Sequence, residues 1–125
     1  MAAGPASSSV LVVDDHGGFR AWARAFLEAE GYRVVGEAAD GGEALSAARR
    51  LRPDVVLLDV HLPDRDGFEV ARCLTKASQP PVVVLVSSRE QVEFGRRVPD
   101  SGARGFISKV DLSAERLHAL VSGGT

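Results

Sequence analysis

Three stretches of this chain are apolar at every position: Val10-Leu11-Val12-Val13, Val55-Val56-Leu57-Leu58 and Val82-Val83-Val84-Leu85-Val86. Each is rich in β-branched residues and too short for a buried helix, so each reads as a strand covered on both faces. Such strands belong to a parallel sheet, whose neighbours need long, usually helical, crossovers. The intervening segments fit that need. Phe19, Trp22, Ala23, Phe26 and Leu27 recur at helical spacing, and Gly31 closes that helix. Tyr32 to Val35 forms a second short strand. Ala44, Leu45, Ala48 and Leu51 mark a second helix, opened by Asp40-Gly41-Gly42 and ended before Pro53. Phe68, Ala71 and Leu74 mark a third. Arg89 to Val98 is a weak fourth helix with Gly95 inside it and a stop at Pro99. Gly105-Phe106-Ile107 is a brief fifth strand, and Ser113 caps a last helix whose inner face carries Leu117, Leu120 and Val121.

Five strands alternating with five helices give an α/β fold, with right-handed crossovers placing helices on both faces of the sheet. A length of 125 residues accommodates one such domain, over residues 10–121. The small, polar start (residues 1–9) and the Ser122-Gly123-Gly124-Thr125 end read as flexible tails. The start lacks the basic and apolar regions of a secretory signal, and no apolar run is long enough to span a membrane. With 15 basic and 17 acidic side chains the net charge is −2, not the profile of an electrostatic nucleic-acid or membrane binder. The single cysteine, Cys73, excludes an internal disulfide and a multi-thiolate zinc site, and suits a reducing, cytoplasmic setting. Trp22 and Cys73 are expected to be packing residues and His118 a surface residue.

Ligands of open parallel sheets bind beyond the carboxyl ends of the strands. There the first strand ends in Asp14-Asp15, the third in Asp59 and the fourth in Ser87-Ser88, and Lys109 follows the fifth. Three clustered carboxylates repel by roughly 3 kcal/mol per pair at ~5 Å and an effective dielectric of ~20. Lys109 offsets part of that. A divalent cation offsets more, and an oxygen-only site favours Mg²⁺. This is a layout for phosphoryl transfer to a carboxylate. Each element alone has a plainer reading. Asp14-Asp15 would serve as helix-start acids, Ser87 as a turn residue, Lys109 as a solvated loop residue, and Asp64 and Asp66 as turn and cap residues. His16 and His61 raise a transition-metal alternative, although His16 reads first as a helix start.

In order along the chain, Val12-Val13-Asp14-Asp15-His16, Asp40-Gly41-Gly42-Glu43-Ala44-Leu45, Asp59-Val60-His61-Leu62-Pro63-Asp64-Arg65-Asp66-Gly67, Ser87 and Gly105-Phe106-Ile107-Ser108-Lys109 follow the motifs of a known family. From Val10 to Val121 the chain resembles the receiver domain of bacterial two-component response regulators, most closely receivers that precede helix-turn-helix (LuxR-type) output domains. The resemblance implies a doubly wound, flavodoxin-like five-stranded sheet in the order 2-1-3-4-5. It implies that Asp59 accepts a phosphoryl group from a sensor histidine kinase. It further implies Mg²⁺ bound by Asp15, Asp59 and the backbone carbonyl of His61, with Asp14 acting through a metal-bound water. Ser87 and Lys109 would contact phosphoryl oxygens. Ser87 and Phe106 would form the switch, and the fourth helix, fifth strand and fifth helix would signal to an output protein or domain, with homodimerisation as one response. Val110 departs from the proline that often follows the lysine, which bears on a cis peptide there.

Two other functions compete. A phosphatase with an aspartyl nucleophile generally needs an acid two residues beyond it, where this chain has His61. A phosphorylation-independent interaction module of the same fold would not need the full set Asp14, Asp15, Asp59, Ser87 and Lys109. Nucleotide binding lacks its glycine-rich signatures.

Overall fold

The computed structural model describes residues 8–88 and 94–123. Five parallel strands run β1 (Ser9–Val13), β2 (Arg33–Ala38), β3 (Val55–Asp59), β4 (Val82–Ser87) and β5 (Gly105–Ser108). They lie in the order β2-β1-β3-β4-β5. The helices are α1 (Gly17–Ala29), α2 (Gly41–Leu51), α3 (Gly67–Thr75), α4 (Arg97–Asp100) and α5 (Ala114–Val121), with a 3₁₀ turn at Lys109–Asp111. The flavodoxin-like order implied by the resemblance is therefore the one observed.

The apolar runs are buried on both sides, and their alternate residues serve different layers. Leu11, Val13, Val56, Leu58, Val83 and Leu85 pack with Ala44 and Ala47 of α2, and with Phe68, Ala71 and Leu74 of α3. Val10, Val12, Val55, Leu57, Val84 and Val86 pack on the other face with Ala23 and Leu27 of α1 and Leu117 of α5. This period-two division is what a strand between two helical layers requires.

Several boundaries differ from the sequence reading. β1 begins at Ser9, inside the expected tail. Ser9 is buried there because its N–H and hydroxyl both bond Asp54 Oδ2, at 2.9 and 3.2 Å, closing the start of β3 against β1. β2 starts at Arg33 and continues to Ala38, pairing Val13 with Ala38. Gly36 and Glu37 interrupt its apolar run, but an edge strand with one partner tolerates that interruption, and the ladder shifts register between Val10 and Leu11. Residues 89–93, the first half of the expected fourth helix, lie outside the described residues. The described part of the fourth helix is one turn, and Pro99 sits within it rather than stopping it, because the first turn needs no N–H from that residue. No cis peptide follows Lys109.

Three side chains depart from the expected burial. Trp22 is 47% exposed and stacks on Phe26 at 5.0 Å, since the apolar stripe of α1 is wider than the face the sheet covers. Cys73 is exposed. His118 is half-buried, edge-on to Tyr32 at 5.3 Å.

Candidate functional site

The carboxyl ends of β1, β3 and β4 meet the loop after β5, and the sheet order makes β1, β3 and β4 neighbours. Asp14 is fully buried and Asp59 nearly so. Lys109 reaches back from the 3₁₀ turn. Its Nζ lies 2.7 Å from Asp14 Oδ2 and 3.9 Å from Asp59 Oδ2. The Lys109 ammonium also sits 4.4 Å from the centroid of the Phe19 ring, which adds a cation–π contact. Lys109 is therefore not a solvated loop residue, and Asp14 does more than begin a helix. Asp14 faces the lysine, the first turn of α1 contains no acidic residue, and Lys109 is largely enclosed.

Charge is incompletely balanced. One ligand atom from each of Asp14, Asp15, His16 and Asp59 lies within 4.8 Å of the others. Burial first, and then the negative charge of Asp14, push the Asp59 carboxyl up to about 6 from its ordinary 3.8. Lys109 and the His61 N–H, which donates to Asp59 Oδ1 at 3.3 Å, pull the other way without winning. A cluster of hard oxygen donors that destabilises its own ionised form fits a divalent cation such as Mg²⁺.

Local structure fixes each part. His16 donates its backbone N–H to Asp14 Oδ1 at 2.8 Å and turns the chain into α1. Arg20 donates from Nη1 to the Asp14 carbonyl at 2.6 Å and from Nε to Glu37 Oε1 at 3.1 Å, tying the end of β1 to β2. Gly67 allows α3 to start directly against the end of β3. A Cβ there would collide with the Asp59 carbonyl and come within 2.7 Å of Val60 Cα. Asp66 caps α3 by accepting from the Phe68 N–H at 2.8 Å, as expected. Asp64 does more than turn the chain: it accepts from the N–H groups of Gly41 and Gly42 at 2.8 and 2.9 Å, so the β3–α3 loop is clamped to the start of α2. These backbone donors, Gly41's foremost, hold the Asp64 carboxyl below its usual range.

Ser87 is fully buried at the end of β4, level with Ser108 of β5. Phe106 is half-buried, its ring 5.5 Å from Phe94. Phe94 also meets Phe68 at 5.4 Å and His61 at 6.0 Å. One aromatic cluster therefore joins the β3–α3 loop, α3, the segment before α4 and β5. Arg97 of α4 pairs with Asp66 and lies 4.3 Å over the Phe68 ring, adding a second tie. The sequence reading missed Arg20, the Asp64 clamp, Phe94 and Arg97. Only the acidic turn around Asp64 and Asp66 hinted at any of them. A cleft of about 850 Å³ lies at the amino ends of β3 and β4 beside Arg52, Cys73 and Pro80, away from these acids.

Residues 10–122 match the family model described as "Response regulator receiver domain". The response regulator GacA of Pseudomonas aeruginosa is 44% identical over 102 residues, covering 80% of this chain and 47% of that protein. The DNA-binding transcriptional activator EvgA of Escherichia coli is 31% identical over 101 residues, covering 81% of this chain and 50% of that protein. The chain spans about half the length of the curated relatives it matches. Among solved structures, a LuxR-family two-component response regulator from Aurantimonas sp. SI85-9A1 superposes with a TM-score of 0.82 at 31% identity, covering 91% of this chain and 82% of that one.

Proposed function

The chain belongs to the response regulator receiver domain family of two-component signalling, and on that premise we propose that Asp59 is its phosphoacceptor. The observation that carries the reading is the buried trio at the sheet edge: Asp59 and Asp14 sharing the Lys109 ammonium at 3.9 and 2.7 Å. The donor is a phosphohistidine on a sensor histidine kinase. An ionised Asp59 oxygen attacks phosphorus, the P–N bond breaks, and the imidazole leaves with a solvent proton. Asp59 must be ionised to attack, which its value of about 6 permits at neutral pH. Lys109 balances the charge of one phosphoryl oxygen, and the Ser87 hydroxyl donates to another. Asp15, Asp59 and the His61 backbone carbonyl would hold Mg²⁺, with Asp14 in an outer role, and the ion would supply the remaining charge neutralisation.

The chemistry is self-directed: the chain assists phosphorylation and hydrolysis at Asp59 and turns over no external substrate. Phosphorylation biases Ser87 and Phe106, and the aromatic contact of Phe106 with Phe94 carries the change to the α4-β5-α5 face. That face signals to an output protein or domain in the cytoplasm, homodimerisation being one form of response. The names of GacA and EvgA support a role in controlling transcription through such an output. The complete set of acids, hydroxyl and lysine disfavours a phosphorylation-independent module.

Beryllofluoride with Mg²⁺, followed by two-dimensional NMR of the backbone amides, tests this reading. Shifts should appear at Asp59, Ser87 and Phe106 and be absent in Asp59→Asn. Identical spectra with and without beryllofluoride would refute it.

A further inference from the structure

Beside the carboxylate oxygens the pocket holds one imidazole nitrogen. His16 Nδ1 lies 3.0 Å from Asp14 Oδ1 and 3.1 Å from Asp15 Oδ1. Its backbone is fixed on both sides: its N–H bonds Asp14 Oδ1 at 2.8 Å, and its carbonyl accepts from the Arg20 N–H at 3.1 Å. Although His16 is the residue before α1, its side chain makes no capping bond there. The ring instead turns Nδ1 toward the two carboxylates while 69% of the side chain stays exposed. Adjacent ligands of a six-coordinate ion with bonds of ~2.1 Å sit ~3 Å apart. Both separations from Nδ1 have that length.

We propose that His16 is a metal ligand of this pocket, so that the chain takes imidazole-binding divalent ions such as Mn²⁺, Co²⁺ and Zn²⁺ in preference to Mg²⁺. The inference rests on the receiver reading for the pocket itself and extends it to metal selectivity. The physical cause is ligand type. Carboxylate and carbonyl oxygens suit Mg²⁺, whereas imidazole favours later first-row ions, whose affinity for a mixed N/O site rises along the series from Mn²⁺ to Cu²⁺. Adding one imidazole to a set of carboxylate and carbonyl oxygens therefore shifts preference while leaving Mg²⁺ able to bind through oxygen.

The test uses the 125-residue chain and two readouts that do not depend on phosphoryl transfer. Pulsed electron paramagnetic resonance of bound Mn²⁺ should show coupling to an imidazole ¹⁴N. That coupling should vanish in His16→Ala and His16→Asn and persist in His61→Ala. Calorimetric titration should show Co²⁺ affinity falling ~10-fold or more in the His16 variants, with Mg²⁺ affinity changed by less than ~3-fold. Both His16 variants should fold, because the ring is exposed and caps nothing. Mn²⁺ bound at an Asp59-dependent site without nitrogen coupling, or with coupling lost only in His61→Ala, would overturn the inference and leave the receiver reading intact. No Asp59-dependent binding of any divalent ion would overturn both.

Discussion

Replacing Asp59 with asparagine should make the metal-free protein more stable at neutral pH, although it removes the proposed phosphoacceptor. Asp59 is almost fully buried, and burial and Asp14 raise its carboxyl from 3.8 to about 6. A group whose folded value is raised binds more protons folded than unfolded between those two values. It therefore subtracts stability as pH rises from about 4 to about 6, and the full penalty remains above that range. The two values correspond to a penalty of up to about 3 kcal/mol at pH 7.5. Asparagine keeps the shape and can still accept the His61 N–H, but it carries no charge to be desolvated or repelled by Asp14. Urea unfolding of both proteins at pH 3.5, 5, 6 and 7.5 would show the difference. Asp59→Asn should be more stable by 1 to 3 kcal/mol at pH 7.5 and indistinguishable at pH 3.5, and saturating Mg²⁺ should narrow the gap by stabilising the wild type. Equal stability at all four pH values, or a less stable variant at pH 7.5, would refute the claim that Asp59 is held in a charge-frustrated pocket.

Lys109→Met should have the opposite sign. It leaves Asp14 buried without its cation at 2.7 Å, and unfolding at pH 7.5 should show a loss of about 3 kcal/mol. Gly67→Ala should cost roughly 1 to 3 kcal/mol by calorimetry, because the new Cβ meets backbone of Asp59 and Val60 that cannot rotate away, and it should impair modification of Asp59. Asp64→Ala should speed hydrogen exchange at the amides of Gly41 and Gly42, with smaller changes in the β3–α3 loop that Asp64 anchors.

The strands of this protein were legible because three of them are buried on both faces, which leaves no polar position to confuse the pattern. The strand ends were legible for the same reason: a charge directly after Leu58 or Val13 stands out. β2 was harder to delimit, since an edge strand admits Gly36 and Glu37 and its apolar run stops before its ladder does. The Asp64 clamp was invisible because its two donors lie 22 and 23 positions away on another helix, and nothing local distinguishes it from a turn aspartate. Phe94 and Arg97 lie in the stretch with the weakest helical pattern. Their meaning comes from what they touch, Phe106, Phe68 and Asp66, rather than from spacing. Trp22 misled the reading because aromatic residues at helical spacing mark an apolar stripe without saying how much of it the sheet covers.

The central claim, that Asp59 is the phosphoacceptor, is tested most directly by intact mass spectrometry after incubation with acetyl phosphate and Mg²⁺, with beryllofluoride binding measured in parallel. One added phosphoryl group is expected, and it should disappear in Asp59→Asn and in metal-free buffer. A phosphoryl adduct that persists in Asp59→Asn, or no adduct together with no beryllofluoride binding, would contradict it.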